Sequence, residues 1–419
     1  VNKIAIIGAG QAGLQLGFEL LAKGRSVTIF TDKTAEEVLN SATQPVAIQF
    51  FPSLQYEQDL QLDFWYAQEA ARIEATVMNM YDANGAPALT IRSALTNAPQ
   101  AVDLRLKYAT WMKEFERRGG ELIIQQGTIE LLEACTSSYD AVFVTTGKGE
   151  PGRLFERDAE NSMLDQAPRH LTMFHIKNCN TTPDLGKGAR VNNFNKIGDL
   201  GECIFYNFLH KDEGKVHVML VEAVPGSALD LSASKASVRE QFEYIRELLK
   251  VSFPAVYEKI RDAALLENEI LKGALTPTVK KPVGKLPSGR VVMALGDALI
   301  LHDPIIAQGL NAASKAAHHV AMQIIAGEDV VFDETWINQV FETYWATAGQ
   351  TYQINNAMLT GLQPHQELAF YAASQMPGIA KDILNNAGQL DKIAGWFNDP
   401  GQTMMYLCNK GFVLNEQPV

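Results

Sequence analysis

Cysteine is scarce in this 419-residue chain: Cys135, Cys179, Cys203 and Cys408 stand far apart, with no CxxC and no Cys/His spacing suited to a tetrahedral metal centre. They read as reduced thiols, and no metal is expected. No uninterrupted apolar run reaches the ~20 residues that span a bilayer, and the chain enters its first strand without a charged leader and apolar segment. A cytoplasmic protein with no membrane partner is expected. Basic residues form no block longer than Arg117–Arg118 or Lys280–Lys281, and the net charge is −12, which argues against nucleic acid and anionic lipid as partners. There is no internal repeat and no low-complexity linker. With 47 % hydrophobic residues the chain can fill a core shared by two or three interleaved substructures.

What is present begins at Lys3. "KIAIIGAGQAGLQLGFELLAKGRSVTIFTDK" reads as strand, glycine-rich turn, amphipathic helix and second strand. The order carries more weight than the glycines alone. Gly8 permits the tight turn, Gly10 lets backbone approach a pyrophosphate, and Gly13 lets the helix close on the sheet, with Gln11 and Ala12 at the positive helix start. An acidic residue usually ends the second strand and binds ribose hydroxyls; here Thr31 holds that position and Asp32 follows. Either can serve the ribose, or Asp32 can simply cap the next helical turn.

Further along, segments 41–100 read as an insertion of strands. A helix over about Leu104 to Arg118 ends at Gly119–Gly120, and "YDAVFVTTGKGEPG" is a buried strand running into a glycine turn. From about 168 to 224, alternating segments such as "RHLTMFHIKN" and "KVHVMLVEAV" predict a second sheet. The expected organisation is a nucleotide-binding domain over 1–165, a substrate domain over 166–285, a return segment over 286–330 and a helical region over 331–419.

The return segment explains itself only with the N-terminus in view. A strand ending at Gly296–Asp297, some 290 residues after the fingerprint, suits a nucleotide too long for one βαβ unit, and FAD is such a ligand. Asp297 would accept from a ribityl hydroxyl and Pro304 would fix the turn beneath the ring. Gly309, Leu310 and Asn311 would present helix-start N–H groups to the flavin O2/N1 region, favouring negative charge on a reduced flavin.

With these motifs the chain resembles the flavoprotein aromatic monooxygenases, and among them the two-component styrene and indole monooxygenases. The resemblance rests on "IIGAGQAGLQLGFEL", on "AVDLRL" at 101–106, on "TTGKGEPGRLFERDAENS" at 145–162 and on "GDALILHDPIIAQGLNAAS" at 296–314. It implies an α/β fold in which a Rossmann-type FAD-binding domain is interleaved with a β-sheet substrate domain and a helical C-terminal region. It also implies Arg105 and Gly147 as cofactor contacts, the competing reading of Arg105 being an ion pair at the helix end. Single-component hydroxylases carry an Asp-Gly pair that serves FAD and NADPH, and none stands between Val142 and Ser162.

The resemblance therefore implies reduced FAD supplied in trans by an NADH-dependent flavin reductase, O2 as co-substrate, and a homodimer. The implied reaction is epoxidation of an electron-rich C=C bond of a small aromatic, indole or styrene, through a flavin C4a-hydroperoxide. No side-chain acid, base or nucleophile is required, because the cofactor carries the chemistry. Ala307 stands where the family usually has glycine, and "LNSATQPVAIQFF" matches neither the styrene nor the indole pattern. Val46, Ile48, Ile73 and Ala307 are the expected pocket wall, with ordinary core as the bland alternative.

Two rivals remain from the sequence, a single-component NAD(P)H-dependent hydroxylase and a non-catalytic flavin-binding protein. A halogenase-like WxWxIP segment is absent, the five tryptophans being widely separated. His302 is expected either to tune the flavin or to be a partly exposed loop residue, and His318 and His319 to mark an exposed helix side.

Overall fold

The computed structural model describes residues 1–181, 190–327 and 330–413. The chain divides into two compact units, the first built from 1–67, 102–166 and 276–352 and the second from 68–101, 167–275 and 353–419.

The first unit is organised by a six-stranded sheet. Lys3–Ile7 pairs in parallel with Ser26–Thr31 on one side and Ala141–Val144 on the other. Ser26–Thr31 continues to Glu121–Ile124 and Ala141–Val144 to Val291–Ala294, both parallel, and Val283–Lys285 closes the edge antiparallel. Short apolar runs such as Ile4–Ile7 and Ala141–Val144 are buried throughout, as strands covered on both faces require. Because these strands run the same way, their C-terminal ends share one edge. That edge collects Gly8, Thr31, Thr145–Gly147 and Gly296–Asp297, the crevice position at which open parallel sheets bind ligands.

The second unit holds a seven-stranded sheet in which neighbouring strands are antiparallel except for the parallel pair Ala75–Tyr81 with Val191–Ile197. Helices Val238–Ser252 and Pro254–Ile260 cover one face, packing Phe242, Ile245, Leu249, Val256 and Ile260 on Phe174, Ile176, Phe205 and Met219. The first of these helices opens on a capping box formed by Ser237 and Glu240. Among the described residues no helix is long and apolar enough to cross a membrane.

Candidate functional site

The fingerprint behaves as its spacing predicts. Gly8 has φ +118°, a left-handed value, and a β-carbon there would stand 2.6 Å from Thr145 Oγ1. One on Gly13 would stand 2.0 Å from the carbonyl oxygen of Gly8, so only hydrogen fits between helix and turn. Gly10 is different: nothing lies within 4 Å of its β-carbon position, so the start of helix Gln11–Leu21 opens onto free space. The same openness recurs at Gly309, in the first turn of helix Gln308–Ala326. These two helices pack along one another, joined by hydrogen bonds from Ser314 Oγ to Gln15 Oε1 and between His318 Nδ1 and Glu19.

Thr31 is buried at the end of its strand while Asp32 is exposed beyond it. Thr34, not Asp32, caps helix Ala35–Leu39 in a complete capping box with Glu37, so the capping explanation of Asp32 falls away. Gly147 brings its backbone against Asp297, whose carbonyl oxygen would lie 2.9 Å from a β-carbon there. Asp297 is accessible to water yet ringed by protein, as in the floor of an open recess. Loss of hydration raises its carboxyl pKa, with Lys148 opposing.

Arg105 is buried and forks onto Asp103, with Nη2 at 2.7 Å and Nε at 3.0 Å from its carboxylate oxygens. Asp103 also caps the helix through Arg105 N–H, so the helix-end ion pair is present and orients the guanidinium. Tyr108, one turn on, had no signal in the sequence. Burial, with the charges of Asp297 and Glu57, pushes its phenol pKa up, and the backbone of Gln11 opposes that shift.

Ala307 adopts φ 55°, ψ 39°, so the chain keeps at this residue the left-handed path that a glycine takes without strain. A β-carbon there costs roughly 1–2 kcal/mol. Part of the gain on removing it is lost to the freer unfolded chain. Ala307→Gly is thus expected to raise stability by about 0.5–1 kcal/mol in urea unfolding. Asn311 is almost wholly buried and spends its side chain on the protein. Nδ2 donates to Ile48 O at 2.8 Å and to Ala307 O at 2.7 Å, and Oδ1 accepts from Phe50 N–H at 2.9 Å. Asn311 therefore brings Ile48 and Ala307 together, with Val46 half-buried just upstream. Ile73 is a buried residue of the second unit, its N–H bonded to Pro99 O.

A buried polar chain lies between the two helices and the segment that follows Pro45. Glu57 accepts from Lys107 Nζ at 2.6 Å, from Gln11 Nε2 at 3.0 Å and from Gln49. Gln11 donates on to Gln15 and Gln15 to Glu19, each at 3.1 Å. Glu19 then meets His318, whose ring stacks on Tyr56 with centroids 3.9 Å apart. His318 is thus half-buried in a contact, not on an open helix side, and His319 is held by Val340 O and Thr343. His302 is buried as well.

Within the second unit, cavities of about 460 and 480 Å³ include none of the pocket residues expected from sequence. The first is lined by amides and charges, among them Asn79, Asn178, Asn193 and Lys259, a poor host for an aromatic hydrocarbon. Three strands also bring His175, His210 and Glu269 together, ring nitrogens lying 3.6 and 3.3 Å from the carboxylate. A β-bulge between Leu265 and Ile270 places Glu269 there, which no sequence spacing could reveal. His210 Nδ1 accepts from the N–H groups of Asp212 and Glu213, so its own proton sits on Nε2 facing Glu269. That tautomer makes a hydrogen-bonded brace, and it opposes metal ligation at Nε2.

The two open helix starts, the glycine cradle and the recessed Asp297 fit a nucleotide that reaches from the fingerprint to the 296–311 turn. Buried groups without partners add to the fit: among the described residues, neither Gln11 Oε1 nor either ring nitrogen of His302 has a hydrogen bond. The model of the styrene monooxygenase A putative substrate binding domain matches residues 147–259. Styrene monooxygenase StyA of Pseudomonas fluorescens is 28 % identical over 332 residues, 78 % of each chain. Among solved structures, a flavin-dependent brominase superposes with TM-score 0.67 at 14 % identity, covering 98 % of this chain and 99 % of its own. A flavoprotein/dehydrogenase from Cytophaga hutchinsonii gives the same TM-score and identity, covering 98 % of this chain and all of its own. The fold is therefore that of the flavin-dependent monooxygenases and halogenases, and the chain is an FAD-dependent monooxygenase. Its sequence relatives narrow the likeness, the chain being similar over 78 % of its length to styrene monooxygenase StyA from two Pseudomonas sources.

Proposed function

We propose that this oxygenase takes reduced FAD from a separate NADH-dependent flavin reductase and epoxidises an electron-rich C=C bond of a small aromatic such as indole or styrene. The observation that carries the reading is the single sheet edge where Gly8, Thr31, Gly147 and Asp297 converge beside two open helix starts. Gly8, Gly10, Gln11, Ala12 and Gly13 would hold the pyrophosphate, Thr31 and Asp32 the ribose, and Asp297 the ribityl chain. Gly309, Leu310 and Asn311 would offer backbone N–H groups to the ring above Pro304. Arg105, aimed by Asp103, would lie along the pyrophosphate and ribityl chain, and Gly147 leaves room for that chain beside Asp297. Val46, Ile48 and Ala307 would face the substrate. Bound reduced FAD supplies the oxygen-activating chemistry. The missing Asp-Gly pair between Val142 and Ser162 supports delivery of the reducing equivalents by another protein, and a homodimer follows from the same resemblance.

The test mixes the protein and chemically reduced FAD with oxygenated buffer, with indole or with styrene, and measures product. An epoxide-derived product is expected, and NAD(P)H added alone to the FAD-loaded protein should leave the flavin absorbance unbleached. Bleaching by NAD(P)H alone would replace the reading with a single-component hydroxylase. No oxygenated product under any reductant would leave a non-catalytic flavin-binding protein. Sedimentation velocity tests the dimer.

A further inference from the structure

The segment between Asp297 and Pro304 carries two polar side chains that the reading above does not use, His302 and Asp303. His302 follows the short strand Ile300–Leu301, which pairs with Thr278–Val279, and precedes Asp303, whose Oδ1 accepts from Ile305 N–H at 3.0 Å. The backbone on both sides is therefore fixed. His302 is 4 % exposed, and among the described residues neither ring nitrogen has a hydrogen-bond partner. Its ring meets Tyr352 edge to face, centroids 5.7 Å apart, and the charge of Lys315 bears on it. Burial, with Lys315, pushes its pKa down to about 4, so at neutral pH it carries one N–H donor and one bare lone pair.

Buried polar groups in folded proteins almost always find partners, and an unmatched one calls for an explanation. Packing supplies none: an aliphatic side chain of similar size would fill the place without losing hydration. Position supplies one, since His302 stands inside the turn that the FAD reading assigns to the flavin. Resting on that reading, we propose that His302 is a flavin-binding residue whose neutral ring completes its hydrogen bonding on the bound cofactor and favours the reduced form over the oxidised. The preference follows from charge. A reduced flavin carries more negative charge than an oxidised one, and an N–H donor bonds more strongly to a charged acceptor.

The test uses the full chain with His302→Leu, His302→Val and His302→Gln. It measures thermal unfolding without cofactor, dissociation constants for oxidised and chemically reduced FAD, and the midpoint potential of bound FAD. In the two aliphatic variants the cofactor-free protein is expected to melt about 2 °C higher, because an unmatched buried group has been removed. Their affinity for reduced FAD should fall about tenfold, 1.4 kcal/mol, with that for oxidised FAD changing less than about twofold. The two-electron potential then drops by about 20–30 mV. Glutamine, which keeps a donor and an acceptor, should recover most of the affinity. Aliphatic variants that melt lower or fail to fold, or that leave both affinities and the potential unchanged, would overturn the proposal and leave a structural histidine. Wild-type protein that binds neither form of FAD would instead sink the flavin reading, and the proposal with it.

Discussion

Lys107→Met is expected to cost about 3–5 kcal/mol of stability, because it strips the cation from a buried carboxylate and leaves the charge behind. Lys107 and Glu57 are 4 % and 2 % exposed at the side chain, and their ion pair is 2.6 Å long. Lys107 also lies over the ring of Trp111, 4.7 Å from its centroid. Burial raises the pKa of Glu57 and lowers that of Lys107, and each group's charge opposes the other's shift. Without Lys107 that opposition is gone, so Glu57 is pushed further up and takes a proton in the folded state. A carboxyl whose folded pKa exceeds the unfolded value contributes its full stability below about pH 4.3 and loses it as pH rises towards the folded pKa. The variant should therefore be worse at pH 8 than at pH 5.5 relative to the parent, by up to about 1.4 kcal/mol per pH unit. Urea unfolding at the two pH values checks both magnitude and sign. Glu57→Gln with Lys107→Met should remove the pH slope and return most of the loss. A single variant with a small, pH-independent effect would mean that the pair contributes little. Since Gln11 at the fingerprint helix start donates to Glu57, affinity for FAD should fall with stability.

How far the site could be read from sequence follows from the reach of each pattern. The fingerprint and the 296–311 turn are local. A glycine at φ +118° or a β-carbon blocked at 2.0 Å leaves its mark at one position, and the alternation of strand and helix supplies the rest. The convergence of Gly147 with Asp297 was legible only through the expectation of a parallel sheet. The ring of contacts around Glu57 was not legible: Gln11, Gln49, Glu57 and Lys107 come from three distant segments, and none has a spacing that marks burial. The histidines misled for a related reason. His302 and His318 were open to exposed readings, yet one is buried beyond the short strand Ile300–Leu301 and the other packs on Tyr56. Arg105 shows the converse, since its neighbour Asp103 made the ion pair readable while the resemblance alone suggested the flavin.

Asn311→Ala should separate support of the site from contact with the cofactor. A residue that only touches flavin would, when truncated, leave the cofactor-free protein as stable as before. Asn311 instead holds Ile48 O and Ala307 O through its amide nitrogen and Phe50 N–H through its oxygen, with Ile48 and Phe50 buried. Alanine leaves two of those backbone groups in the interior without partners, at about 1–3 kcal/mol each. A loss of about 3 kcal/mol is expected before any cofactor is added, and FAD affinity should fall at least tenfold as segment 48–50 comes away from the flavin turn. Asn311→Asp sharpens the test. Its carboxylate can still accept from Phe50 N–H, but it sets a second oxygen against two carbonyls where the amide donated. A proton relieves that repulsion, so the folded carboxyl pKa is raised. The aspartate variant should come closest to the parent near pH 5 and fall behind as pH rises. Equal effects of alanine and aspartate at both pH values would count against the clamp. If cofactor-free stability is unchanged in both variants while FAD binding is lost, Asn311 acts on the flavin and not on the chain that surrounds it.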